Sequence, residues 1–241
     1  MAALCSRTPL ALAVSAYNEE ELRAVGYQQT RVLPLSLDES QYRFPTNPAL
    51  VEQFQKYGPK LLFVGRQVPN KKPEDLLKLL YYYRRIEPTA CLILVGAPWL
   101  PNYERWLHDL ACDLGVGGDV FFLGHVSQQD MVTYYRMANL YVSMSEHEGV
   151  GKPLIESMYL DLPVMAYAAA GVPYTLGEAG MLFQHKDYEA LAELTDMLVT
   201  DQSLRSRILA GQRRRVQHFL QDHVRQQLHE SLKQLSVGLK S

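Results

Sequence analysis

Ser145-Glu146-His147-Glu148-Gly149-Val150-Gly151-Lys152-Pro153-Leu154-Ile155-Glu156 follows an apolar run, Leu140-Tyr141-Val142-Ser143-Met144, and precedes a helical pattern that continues to Leu160. The order is strand, glycine loop, helix start. N–H groups at a helix N-terminus lack intrahelical partners and favour an anion. Glycines let a bulky ligand approach the backbone. Pro153 suits the first helical turn, where its missing N–H costs nothing. Two carboxylates, Glu148 and Glu156, flank the turn with seven residues between them. A loop that can hold phosphate, beside acceptors for hydroxyl groups, matches the polar groups of a nucleotide sugar. Taken singly, two glutamates at this spacing or a glycine turn after a strand are common; the whole string is far more specific.

Outward from this stretch the chain alternates regularly. Strands are expected at 61–64, 92–95, 120–123, 140–143 and 164–166, with a shorter one at 181–183. Helices are expected at 73–86, 102–114, 128–138, 153–160 and 188–198, after a short helix over 49–57. Continuous apolar strands alternating with amphipathic helices predict an α/β fold: a Rossmann-like parallel sheet with helices on both faces. In such sheets ligands bind at the carboxyl ends of strands. The first strand ends in Phe63-Val64-Gly65-Arg66, with Lys71 and Lys72 before the next helix. An arginine and a lysine converging there can neutralise a diphosphate, although a solvated basic loop has the same look. Which lysine reaches the phosphate is open at this stage. The third strand ends in Gly124-His125-Val126. His125 reads as loop packing. His147 beside two acids, without further ligands at metal spacing, is weak evidence for a metal, and none is predicted.

Composition narrows the class. The 241 residues are 47% hydrophobic with net charge −2, so no basic field calls for nucleic acid. No apolar run reaches the length of a membrane span. Cys5, Cys91 and Cys112 lack metal spacing and read as buried thiols in a reducing compartment. Arg7, the apolar Pro9–Val14 and the small-residue Val14-Ser15-Ala16 have the outline of a secretory signal. The apolar core is short, however, and Tyr17–Leu22 reads as a helix start capped by Asn18, so strand then helix is the preferred reading. The helical 201–241 region carries eight basic residues against three acidic ones. A solvated face explains this, and contact with an anionic membrane surface is the sharper alternative.

The string from Glu148 to Val164 resembles the Glu-x7-Glu motif of family 4 retaining glycosyltransferases, which have the GT-B fold. Val150, Ser157 and Asp161 replace the usual Phe, Ala and Gly. Gly65, Arg66 and Lys71 match the family's diphosphate-binding G-R-x-x-x-x-K element. The resemblance implies a set of roles. Arg66 and Lys71 would stabilise charge on the leaving diphosphate, and Glu148 would orient the donor sugar. Gly149, Val150 and Gly151 would bind through backbone N–H groups, and Glu156 would accept from the ribose hydroxyls. Gly124 and Val126 would pass beside the base. Tyr174 stands where the family often has Glu, a departure from the usual donor loop.

The resemblance runs from about Leu10 to Leu198 and implies three parts. Residues 1–47 would be a remnant of the amino-terminal domain plus linker, with most of that domain absent. Residues 48–200 would be the nucleotide-sugar-binding GT-B carboxy-terminal domain, and 201–241 a helical tail. The implied activity is retaining, hexosyltransferase-class transfer from a nucleotide sugar, a UDP- or GDP-sugar, to a glycan or lipid-linked acceptor, as in polysaccharide biosynthesis. No cofactor is implied. Expected partners are the nucleotide sugar, the acceptor and a separate subunit supplying the amino-terminal half. The expected location is the cytoplasm, peripheral to the inner membrane face. A noncatalytic nucleotide-sugar-binding module or split-enzyme subunit, or a sugar-nucleotide epimerase, fits the same donor residues.

Overall fold

The strands after Lys60 alternate their side chains between two separate apolar layers. In the fourth strand Cys91, Ile93 and Val95 enter one core, while Leu92 and Leu94 enter the other, all fully buried. Burial on both faces is what a central parallel sheet requires. The computed structural model describes residues 2–98 and 100–238 of the 241. Its strands are β1 (Ala11–Ala13), β2 (Thr30–Val32), β3 (Lys60–Val64), β4 (Cys91–Val95), β5 (Val120–Phe122), β6 (Leu140–Ser143), β7 (Val164–Tyr167) and β8 (Met181–Phe183). Its helices are α1 (Ala2–Cys5), α2 (Ala16–Ala24), α3 (Pro48–Gln53), α4 (Pro73–Tyr83), α5 (Pro101–Asp113), α6 (Gln128–Met137), α7 (Lys152–Tyr159), α8 (Val172–Leu176), α9 (Tyr188–Thr200), α10 (Gln202–Val216) and α11 (Gln221–Gly238).

The main sheet has six parallel strands in the order β5-β4-β3-β6-β7-β8. Winding runs outward in one direction from β3 and in the other from β6. Val132, Leu154, Ile155 and Met158, from α6 and α7, cover one face. Leu76, Leu80, Leu107 and Leu191, from α4, α5 and α9, cover the other. The parallel pair β1–β2 forms a separate small sheet. It is tied to the remainder by Leu37 N–H donating to the Phe219 carbonyl at 2.7 Å and by Arg31 donating to Ser231 Oγ at 3.2 Å.

Three sequence expectations are corrected. The N-cap of α2 is Ser15, whose hydroxyl accepts from the Asn18 N–H, so the helix starts before Asn18 rather than after it. Cys112 is exposed; only Cys5 and Cys91 are buried, and all three are free thiols. The turn around Val172–Leu176 closes into the short helix α8. The α10 helix docks on the sheet: Gln212, fully buried, accepts from Val164 N–H at 3.0 Å and donates to the Leu162 carbonyl at 2.8 Å. Among the described residues no helix is long and apolar enough to cross a membrane.

The exits of β3, β4 and β5 are stitched together. Gly65 N–H donates to the Val95 carbonyl, and Gly96 N–H to the Gly124 carbonyl at 2.8 Å. A Cβ on Gly96 would lie 2.1 Å from the Gly65 oxygen, and φ there is +135°. A Cβ on Gly124 would meet nothing, leaving only the strain of φ +60°. Gly96→Ala is therefore expected to lower stability by about 2 kcal/mol or more and Gly124→Ala by roughly 1 kcal/mol. Urea midpoints measure both, and equal losses would contradict the close-approach explanation.

Candidate functional site

The reversal of winding between β3 and β6 opens a crevice at their carboxyl ends, the position where open α/β sheets bind ligands. The loops leaving these two strands meet there. Glu146 N–H donates to the Asn70 carbonyl at 2.9 Å. Lys71 forms an ion pair with Glu148, Nζ to Oε1 at 2.5 Å, and donates to the His147 carbonyl at 3.2 Å. Both side chains of the pair are more than four-fifths buried.

The backbone settles which lysine faces the crevice. Lys72 is left-handed, with φ +53°, so the chain turns sharply between the two. Lys72 pairs instead with Glu146 at 3.4 Å and Glu74 at 3.7 Å. Beneath it lies a buried anchor. Asp75, in the first turn of α4, accepts from Lys186 at 2.8 Å and from the Tyr188 hydroxyl at 2.8 Å. Lys186 also reaches Glu146 at 3.1 Å. Burial pushes the Asp75 carboxyl up, but the hydrogen bonds from Lys186 and Tyr188 and the charges of Lys186 and Lys78 outweigh it and hold it below the ordinary range.

The glycine loop is held by its carbonyl oxygens. Those of residues 147 to 150 accept in turn from Lys71 Nζ, Gly171 N–H, Ser15 Oγ and Thr175 Oγ1. Gly151, at φ +74°, starts α7, and no side chain caps that helix. The loop's amides and the first turn of α7 can therefore receive an anion. Ser15 joins α2 to this loop across 134 positions of sequence. Beside it, the Tyr17 ring meets His147 edge-on at 6.3 Å and lies 6.3 Å from Tyr174. Tyr174 donates to Glu20 at 3.1 Å, so the family's usual Glu is replaced here by a phenol that pairs with a carboxylate on α2.

Glu156 lies deeper, 7% exposed. Its Oε1 accepts from the Tyr42 hydroxyl at 2.7 Å and pairs with Lys152 at 3.1 Å, and its Oε2 accepts from the Tyr135 hydroxyl at 2.6 Å. Burial, then the Glu156 charge, drives both phenols' pKa values up. Tyr141, in β6, is raised by burial and then by the charges of Glu148 and Glu156, so one buried phenol feels both carboxylates. These tyrosines were not singled out by sequence. For Tyr135 and Tyr141 the signal available was Tyr rather than Phe at apolar positions of α6 and β6, since a buried hydroxyl needs a partner; Tyr42, in the turn over Glu39–Tyr42, gave none.

Of the residues expected to act together, the structure brings Lys71, Glu148, Gly149, Val150 and Gly151 into one cluster. Gly65 and the exposed Arg66 stand at the β3 exit, and Gly124 is bonded to Gly96. Val126 packs, half-buried, against the core facing α6 and α7. His125 is exposed.

Residues 51–215 match the family described as Glycosyl transferases group 1, and the chain belongs to that family. It is 31% identical over 157 residues to a D-inositol 3-phosphate glycosyltransferase of Stackebrandtia nassauensis, covering 62% of this chain and 35% of that protein. It is 28% identical over 193 residues to O-antigen chain mannosyltransferase B of Escherichia coli, covering 76% of this chain and 49% of that one. The chain thus spans half or less of these relatives' length. Its fold matches Anabaena Alr3699/HepE, solved in complex with UDP and glucose, with TM-score 0.81 and 23% identity over 97% of this chain and 65% of that one. The six-stranded sheet is that of GT-B glycosyltransferases.

A carboxylate whose folded pKa lies below its unfolded value stabilises the fold above the unfolded pKa and loses that contribution as pH falls through the folded one. Asp75→Asn is therefore expected to cost about 2 kcal/mol at neutral pH. The deficit should begin to shrink below roughly pH 4, where the unfolded chain takes up its proton, and disappear as pH falls further through the lowered folded value, where native Asp75 is neutral too. Denaturant titrations across this range measure it, and a deficit independent of pH would rule out the charged anchor.

Proposed function

We propose that this chain supplies the donor-binding part of a retaining glycosyltransferase that moves a sugar from a nucleotide sugar to a glycan or lipid-linked acceptor. The observation that carries this reading is the Lys71–Glu148 pair at the point where the sheet reverses. It sets one cation and one hydroxyl-accepting carboxylate side by side at the mouth of a loop built for an anion. In this reading Lys71 and Arg66 neutralise the diphosphate as it departs, the electrostatic assistance on which such transfers depend. Glu148, released from Lys71 by the incoming phosphate, accepts from the donor sugar. Amides of Gly149, Val150 and Gly151 and the N-terminus of α7 share the anion.

Glu156 holds the ribose through the acceptor capacity that its tyrosine and lysine partners leave. Each carboxylate oxygen has two lone pairs, so Oε2, bonded to Tyr135, keeps one for a further donor. Gly65, Gly124 and Val126 line the way to the base. Residues 48–200 form the nucleotide-sugar domain, 1–47 belong to the acceptor side with its linker, and 201–241 form the helical extension. The acceptor site is completed by an amino-terminal domain of the kind that fills the remaining length of the relatives. A UDP- or GDP-sugar is the donor, and the chemistry needs no cofactor.

Calorimetric titration with UDP-glucose and GDP-mannose tests this reading. One donor is expected to bind, and Lys71→Ala and Arg66→Ala should each weaken it about tenfold or more, the scale of a lost charge-assisted hydrogen bond. Lys72→Ala, which faces Glu146, should leave affinity within about threefold, as a surface pair does. Equal losses for Lys71 and Lys72, or no donor bound by the folded protein, would overturn the assignment.

A further inference from the structure

The α10 helix, Gln202–Val216, carries five arginines and no acidic residue. Three of the five are used internally. Arg205 donates to the Asn139 carbonyl at 2.8 Å, and Arg213 grips Asp161 with two bonds at 2.7 and 3.0 Å. Arg215 donates to the Thr175 and Tyr174 carbonyls at 2.9 and 2.6 Å, closing the last turn of α8. The other two, Arg207 and Arg214, are exposed and have no ion-pair partner among the described residues.

Helical geometry collects these groups. Positions 207, 211, 214 and 215 recur at spacings of four, seven and eight, so they share one face. His218 extends that face into the turn that follows. The face lines a cavity of about 330 Å³ whose opposite wall is the 176–179 turn. Gly211 forms the floor: a Cβ there would already lie 3.8 Å from the Ala179 backbone, so a larger side chain would fill the space. Glu178 is the only carboxylate on the lining. Arg215, fixed by its two carbonyls, presents a pre-oriented guanidinium, the group best matched to phosphate oxygens. Arg207 and Arg214, about 10 Å apart along the helix axis, stand at the two ends of the cavity.

We propose that this cavity is a second anion site, which binds a phosphate group through Arg207, Arg214 and Arg215. Its lining contains no residue of the glycine loop, and Thr175 of α8 lies between the two, donating to the Val150 carbonyl and accepting from Arg215, so the site stands independently of the donor assignment. The phosphate can belong to a membrane lipid headgroup or to a small soluble ligand. The two sources share the same recognition and differ in what else must bind.

The test uses the whole chain with two probes. One is inorganic phosphate, followed by calorimetry. The other is phosphatidylcholine vesicles with and without phosphatidylglycerol, followed by sedimentation at two salt concentrations. The double variant Arg207→Gln/Arg214→Gln, whose exposed positions keep α10 docked, should weaken binding about tenfold or more, because each arginine near an anionic surface contributes separately. Both probes are applied in the Lys71→Ala background, which removes the crevice lysine as a competing anion partner, and Arg105→Gln, at an exposed position of α5, should leave the binding unchanged. Salt-sensitive retention on phosphatidylglycerol vesicles without response to free phosphate assigns the lipid source, and response to free phosphate assigns the soluble one. Failure to bind either probe overturns the proposal. So does binding that survives the double variant, or binding that Arg105→Gln weakens as much as the double variant does.

Discussion

Lys71 and Glu148 face each other across the one gap that the sheet cannot close. The strands wind outward in opposite directions from β3 and β6, so the two loops that leave their carboxyl ends have no helix between them. Something must hold those loops at a fixed distance while leaving the space usable. The pair does so with charges that also suit a diphosphate and a sugar hydroxyl. A pair mostly shielded from water is sensitive to any ion that enters beside it, because screening there is weak. A site held together by groups that a ligand can recruit is assembled in advance and gives way on binding.

The supports around this pair come from distant parts of the chain. Asp75, Lys186 and Tyr188 fix the lysine loop from below. Ser15, Gly171 and Thr175 fix the glycine loop by its carbonyl oxygens, one of them from the amino-terminal small sheet side. Tyr42, Tyr135 and Lys152 saturate much of Glu156. A buried carboxylate is tolerated only when donors satisfy it, so the tyrosines are what allow an acid to sit in the middle of α7. Because α2 touches the loop directly, motion of the 1–47 segment relative to the sheet would reach Gly149 through Ser15.

Much of the sheet was legible in sequence. Cys91–Val95 and Leu140–Ser143 read as unbroken apolar runs because parallel strands are buried on both faces. The crevice cluster was legible because glycines, a first-turn proline and two acids follow one another in a single string. Other features depend on tertiary structure. No residue type announces that Lys72 adopts φ +53°, yet this turn decides which lysine meets Glu148. Ser15 and Asn18 are both good caps, and only the path of β1 selects Ser15. Five residues of α8 are too few to show helical periodicity. The bonds from Tyr42 and Tyr135 to Glu156 span 114 and 21 positions, and such pairings leave no local trace.

The most direct measurement is a crystal structure of the chain with UDP or GDP, whichever binds. The account predicts the diphosphate in the β3–β6 crevice, with Lys71 Nζ moved from Glu148 onto a phosphate oxygen and the Glu148 carboxylate left facing the space for the sugar. A nucleotide bound elsewhere, or one seated in the crevice with the Lys71–Glu148 pair intact, would contradict it.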